Sequence, residues 1–187
     1  MPTISIFKPD FESLLGAGAR LKRPLPIERI EDWLMLVKGE LKEHVAETGE
    51  LRIELQDSNR PDLWSCEGIA RQIRIKQTGR QKPYSFLSKK PRTTNRLIVA
   101  PGIDRVRPYV AACTSRGYRV TADGLAQLIQ TQEKLADLYG HKRKTVSIGL
   151  YQLEHIHFPV TYELVERDAA RFTPLGMETV MTLSEIL

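Results

Sequence analysis

The sequence is poor in the residues that carry the commonest metal and covalent chemistry. It has two cysteines in 187 residues, Cys66 and Cys113, and neither sits in a Cys-x-x-Cys pair. They are read as buried thiols rather than as a disulfide or metal ligands, which favours a reducing, cytoplasmic setting. No apolar run approaches the ~18 residues that a membrane-spanning helix needs. The opening residues, Met1 to Phe7, have no basic flank and too short an apolar run to read as a signal peptide. A glycine-rich phosphate loop and a nucleophile elbow are both missing. His155 and His157 could share one face of a strand, but two imidazoles without a third or fourth donor do not make a metal site.

Acid is missing locally as well. From Arg71 to Arg96 there are nine basic residues and no Asp or Glu, while the whole chain carries only +5. The remainder is therefore net acidic. A concentrated basic stretch suits an anionic partner, with nucleic acid the first candidate. The hydrophobic fraction of 41% and charged fraction of 27% are those of an ordinary soluble globular chain. At this length it forms one large domain or two small ones, with enough surface to bury a core.

The segment Leu51–Gln77 organises the first half. Leu51, Ile53 and Leu55 alternate with Arg52, Glu54 and Gln56, the period of a half-buried strand. The turn formers Asp57 to Asp62 follow, and here Asn59, Arg60, Pro61 and Asp62 are read as a structural turn. Asp62 is the expected N-cap of the next helix, whose stripe is Leu63, Cys66, Ile69, Ala70 and Ile73. Before this segment, Thr3–Phe7 reads as a strand, Pro9–Leu15 as a short helix and 27–45 as a longer one. After it, 79–95 reads as a basic linker in which Tyr84 and Phe86 dock on a neighbouring surface.

A second unit begins at Leu97–Ala100, a strand expected to pair with Pro108–Thr114. Residues 120–139 form a long helix capped by Thr121, with the stripe Leu125, Leu128, Ile129, Leu135 and Leu138. Gln132 falls on that stripe, so its amide needs a buried partner or a pocket. Residues 145–150 and 158–164 alternate like two antiparallel strands. His141, Lys142, Arg143 and Lys144 form a positive cluster at a helix-to-strand junction, which suits phosphate contact. Thr182 and Glu185 have the spacing of a capping box. The expected fold is α+β: a small β-α-α-β-α domain (1–78), the linker (79–95), and a mixed, mainly antiparallel sheet with a long packed helix (96–187).

Two sets of strings carry a family resemblance. Asn59-Arg60-Pro61-Asp62-Leu63 with Glu67-Gly68-Ile69-Ala70-Arg71 resembles the first domain of the phenylalanyl-tRNA synthetase beta subunit, in its archaeal and eukaryotic-cytosolic form. Arg107-Pro108-Tyr109, Gln132 to Leu135, Lys142-Arg143-Lys144 with Ile148-Gly149, and Phe172 to Leu175 resemble the same subunit further along. Gln152-Leu153-Glu154 departs from the Asp-Leu-Asp common there.

The resemblance implies the N-terminal portion of that subunit, with the leading part of its editing domain, which hydrolyses tyrosine mischarged onto the phenylalanine tRNA. It implies tRNA contact near Gln132 and Arg143, and with the charge cluster of His141, Lys142 and Lys144 these five are the expected RNA-binding residues. The implied partners are tRNA and the alpha subunit or the remaining beta-subunit domains, with no membrane and no DNA. No cofactor is expected in this chain, since ATP and magnesium of the parent ligase bind elsewhere, and no catalytic residue is expected in it. Because the family's next segment, with most of the editing pocket, lies outside the sequence, the chain is expected to be a fragment or a truncated relative. A free-standing, non-catalytic RNA- or protein-binding module is the alternative.

Overall fold

A computed structural model describes residues 1–16, 23–57, 59–81, 83–88, 94–117 and 119–186. Its architecture is mixed α and β, with helices and small sheets, as expected for an α+β chain. The chain falls into two compact units, one formed by 1–84 and 117–150, the other by 85–116 and 151–187. The grouping cuts across the expected division near residue 78, because the long helix joins the first unit.

The first unit is built on three antiparallel strands in the order β1-β3-β2. They are β1 (Thr3–Phe7), β2 (Gly39–Val45) and β3 (Glu50–Leu55). β3 is central. Its Leu51, Ile53 and Leu55 are fully buried, and Ile4 and Ile6 of β1 point to the same core. Three helices supply most of the rest of that core: α1 (Lys8–Leu15) through Phe11, α2 (Ile27–Leu34) through Ile30 and Leu34, and α3 (Cys66–Thr78) through Cys66, Ile69, Ala70 and Ile73, with Val37, Leu63 and Trp64 added from the turns between. The alternation in β3 and the three-and-four spacing in α3 thus meet as two halves of one apolar layer.

The helix expected over 27–45 ends early. α2 stops at Leu34, a 3-10 turn covers Met35–Val37, and Lys38 takes a left-handed conformation (φ 52°). The chain reverses there and returns as β2, whose Leu41 pairs with Ile53. Gly39 sits where a Cβ would press on the Ile53 and Leu55 side chains and the Leu34 carbonyl, all at 3.4 Å. Charged residues at Glu40, Lys42 and Glu43 conceal this strand from a periodicity reading. They suit an outer strand, which a register shift between Leu41 and Glu43 also interrupts.

Asp62 is not the cap of α3. Ser65 is: it has extended backbone, and its hydroxyl accepts from the Gly68 N–H at 3.1 Å. A 3-10 turn over Pro61–Leu63 uses the residues between. The Asp62 carboxylate instead accepts two bonds from Arg60, at 2.8 and 2.9 Å, and one from Arg71 at 3.1 Å. Gly68 lies so close beneath the Asp62 carbonyl that a Cβ there would collide with it.

Helix α4 (Ala122–Lys134) is capped by Thr121 as expected, the hydroxyl accepting from Gly124 N–H at 3.0 Å. Its orientation is not the expected one. Leu125, Leu128 and Ile129 are exposed, and the buried residue is Gln127. The Gln130 amide accepts from Ser5 N–H and donates to Ser5 C=O, both at 2.7 Å, and Gln127 donates to the same carbonyl at 3.0 Å. β1 is an edge strand, and Ser5 turns its peptide groups away from β3. One glutamine amide therefore completes the rung that a neighbouring strand would have provided. Hydrogen-bond demand of an open sheet edge, invisible to an apolar count, accounts for the polar face turned inward.

The second unit has less regular structure. β4 (Leu97–Val99) pairs with β5 (Val160–Tyr162) in parallel, and β6 (Arg171–Phe172) pairs with β7 (Met181–Thr182) antiparallel. The expected pairing of 97–100 with 108–114 does not form, and 108–114 has no regular structure. Residues 145–150 make no ladder either, although half-burial still falls on Val146 and Ile148. In α5 (Leu183–Ile186) the capping box is complete: Glu185 accepts from Thr182 N–H at 2.7 Å, and Glu185 N–H donates to Thr182 Oγ1 at 3.3 Å. The bonds that the Glu185 carboxylate accepts from the Thr182 N–H and hydroxyl hold it below its usual range.

The capping, ion-pair and edge assignments can each be tested. Ser65→Ala should lower unfolding free energy by about 1 kcal/mol. The Asp62 carboxyl is held low, first by its bonds from Arg60. Its stabilising effect is therefore present above the ordinary carboxyl range near 3.8 and fades as pH falls through the lower folded value. In Asp62→Ala melts, the difference from the parent should shrink on acidification, and a constant difference would remove the ion-pair role. Separately, Gln130→Ala should expose the Ser5 amide, and its hydrogen exchange should accelerate by roughly fivefold or more, the equivalent of about 1 kcal/mol or more for a bond whose partner is lost.

Candidate nucleic-acid interface

The candidate site begins where α4 ends. The chain continues as one turn of π-helix, Leu135–Tyr139, with Ala136 buried. Gly140 follows, so tightly placed that a Cβ would collide with the Ala136 and Val146 carbonyl oxygens. Three successive residues then take left-handed backbone: His141 (φ 50°), Lys142 (φ 56°) and Arg143 (φ 65°). A left-handed residue other than glycine costs about 1–2 kcal/mol. Strain of this kind persists only where the surroundings dictate it.

Here the surroundings are backbone hydrogen bonds. Lys142 N–H donates to Asp137 C=O at 2.9 Å, Arg143 N–H to Ala136 C=O at 2.8 Å, and Thr145 N–H to Gly140 C=O at 3.0 Å. The otherwise unpaired carbonyls of the helix end are thus taken up by the turn that follows. With its peptide groups engaged internally, the turn presents the His141, Lys142, Arg143 and Lys144 residues at the surface, all four exposed. It is a rigidly backed, cationic projection rather than a backbone anion nest.

The sequence-predicted residues separate into three places. His141 to Lys144 are together on this turn. Gln132 is half-buried on α4, one helical segment earlier, and the glutamines that bond buried backbone are Gln127 and Gln130. Asn59, Arg60, Pro61 and Asp62 form a turn at the start of α3, with Asn59 exposed. Arg60 also donates to Gln72 Oε1 at 3.2 Å, and Arg71 reaches the Tyr84 hydroxyl at 3.1 Å. Tyr84 thus docks through its hydroxyl on the helix that opens the basic stretch. Nothing is described of the Phe86 side chain, and Lys82, Lys89, Lys90 and Arg92 lie outside the described residues.

Residues with other chemistry do not converge. Cys66 is buried and its thiol is pushed up, by burial first and then by Glu67 and Asp10. Cys113, expected to be buried, is exposed, and both cysteines are free. Among the described residues, no three of His, Cys, Asp and Glu gather where a metal ion could be held. No helix of the described residues is long and apolar enough to cross a membrane.

Sequence reading missed Gln127, Gln130, Trp64 and Tyr139. The first two carry a signal in hindsight: Gln127, Gln130, Thr131 and Lys134 recur at three- and four-residue spacing, a polar stripe beside the apolar one. Trp64 and Tyr139 line a pocket of about 610 Å³ beside the cationic turn, which no local pattern announces.

Comparison with known proteins points one way. No protein-family model matches the chain. The phenylalanine–tRNA ligase beta subunits of Pyrococcus horikoshii and Pyrococcus furiosus are each 36% identical to it, and that of Borrelia turicatae 34%, over the whole of this chain. The chain spans 32% of the length of each of those relatives. Among solved structures, an N-terminal fragment of the phenylalanyl-tRNA synthetase beta subunit from Pyrococcus horikoshii matches with a TM-score of 0.83 at 32% identity, over 99% of this chain and 51% of that one. Along its full length the chain is similar in sequence to phenylalanine–tRNA ligase beta subunits, and its fold matches an N-terminal fragment of one of them.

Proposed function

We propose that this chain contributes to tRNA binding and to the scaffold of the editing domain in a cytoplasmic phenylalanine–tRNA ligase. Its partners in that reading are tRNA, the alpha subunit and the remaining beta-subunit domains. ATP-dependent aminoacylation would belong to the assembled enzyme. The observation that carries the tRNA reading is the left-handed turn at 141–143, which holds consecutive cations outward on a backbone fixed by its own hydrogen bonds. A fixed cationic turn meets a phosphate with less ordering than a mobile one would. The basic residues of α3 and the segment after it add a second source of attraction.

Counterion release supplies the test. Each phosphate neutralised adds about −0.7 to −0.9 to the slope of log affinity against log salt. With about three to five such contacts, tRNA affinity should fall by roughly one to three orders of magnitude between ~50 and ~200 mM salt. Arg143→Ala combined with Lys144→Ala should flatten the slope by about two units. The melt should move little, since surface substitutions usually stay within about 0.5 kcal/mol. Filter binding that finds no complex at ~50 mM salt, or a double variant that keeps the full slope, would remove this turn as the contact.

A further inference from the structure

We infer that the pocket beside the cationic turn is a binding site for one unpaired nucleobase, its phosphate held by the turn, an inference that rests on the RNA reading above. Three independent features lie together here. First, the pocket has the size of a small-molecule site, about 610 Å³. Its walls are apolar and aromatic, from Trp64, Leu138, Tyr139 and Val146, with His141 and Thr145 as the polar points. Second, Tyr139 keeps 59% of its surface exposed. A tyrosine open to solvent on a pocket wall offers a stacking face that any base can use.

Third, Trp64 is 2% exposed, and its indole N–H is one of two buried side-chain polar atoms without a hydrogen-bond partner among the described residues. A buried donor left unpaired costs about 1–3 kcal/mol, so such a group asks for an explanation. The indole lines the pocket with its N–H covered, so a ring nitrogen or carbonyl of a base becomes its acceptor only when the wall gives at that atom. His141 joins the features in one piece of chain: it lines the pocket and begins the left-handed turn that carries Lys142, Arg143 and Lys144. A ligand with a flat acceptor-bearing ring and an attached phosphate matches this order of groups. A paired base in a duplex does not, because its ring faces are stacked and its edge is occupied.

The test reads Trp64 directly. The chain has two tryptophans, Trp33 and Trp64, so Trp33→Phe leaves Trp64 as the sole indole. Millimolar AMP should shift the Trp64 indole N–H resonance in a proton–nitrogen spectrum, and inorganic phosphate alone should not. Tyr139→Ala should weaken AMP by roughly 5- to 150-fold, the effect of removing one stacking ring, and Tyr139→Phe should keep most of the affinity. No shift with AMP, an equal shift with phosphate, or unchanged affinity in Tyr139→Ala would each overturn the pocket. The parent reading fails separately. If tRNA binds with the full salt slope but Tyr139→Ala changes nothing, the pocket falls and the tRNA contact stands. If AMP enters and tRNA does not bind at low salt, the pocket stands as a nucleotide site and the tRNA reading falls.

Discussion

The first unit depends on burying one face of β3. Leu51, Ile53 and Leu55 lose all contact with solvent, and residues from β1, α1, α2 and α3 reach the same cluster. At about 1.5–3 kcal/mol for each large aliphatic side chain buried, three such residues outweigh any single surface ion pair in the unit, where the median is about 0–1 kcal/mol. Register follows from the same face. A slip of one residue along β1 would put Ile4 and Ile6 outside and Ser5 inside. Ser5 is then fixed on the solvent side with its backbone toward the open edge, which is where α4 meets it.

That meeting explains why α4 shows an apolar face outward. A helix with leucines on one side ordinarily turns them to the nearest sheet. Here the nearest part of the sheet is an edge with an unpaired peptide, and two glutamine amides answer it. An unpaired buried backbone group costs as much as a lost hydrogen bond. The helix is placed by polar complementarity to one residue, and Leu125, Leu128 and Ile129 stay exposed as a consequence.

Periodicity made much of the fold legible. The strands at 3–7 and 50–55, the helix begun at Cys66, the Thr121 cap and the Thr182–Glu185 box each depend on residues close in sequence, and each formed. What stayed hidden depends on residues far apart. β2 is a charged outer strand, β4 finds its partner more than sixty residues away, and the inward face of α4 is chosen by Ser5. Asp62 shows the intermediate case. Its residue type suits a cap, but Arg60 and Arg71 compete for the carboxylate, and Ser65 lies nearer the helix start.

The candidate site divides in the same way. Its charge was legible, because three consecutive residues, Lys142, Arg143 and Lys144, carry it. Its shape was not, because three left-handed residues in a row have no glycine or asparagine to announce them. The cause lies upstream and downstream: a π turn shifts the helix end, and Gly140 lets the chain pass between the Ala136 and Val146 carbonyls where a side chain would not fit. The chain is then committed to a tight reversal, and left-handed backbone is the conformation that lets Lys142 and Arg143 close bonds to Asp137 and Ala136. The strain in the turn is thus held by hydrogen bonds that would otherwise go unmade. Those same bonds set the direction of the cations, so the geometry that offers charge to a partner is a by-product of how one helix is ended.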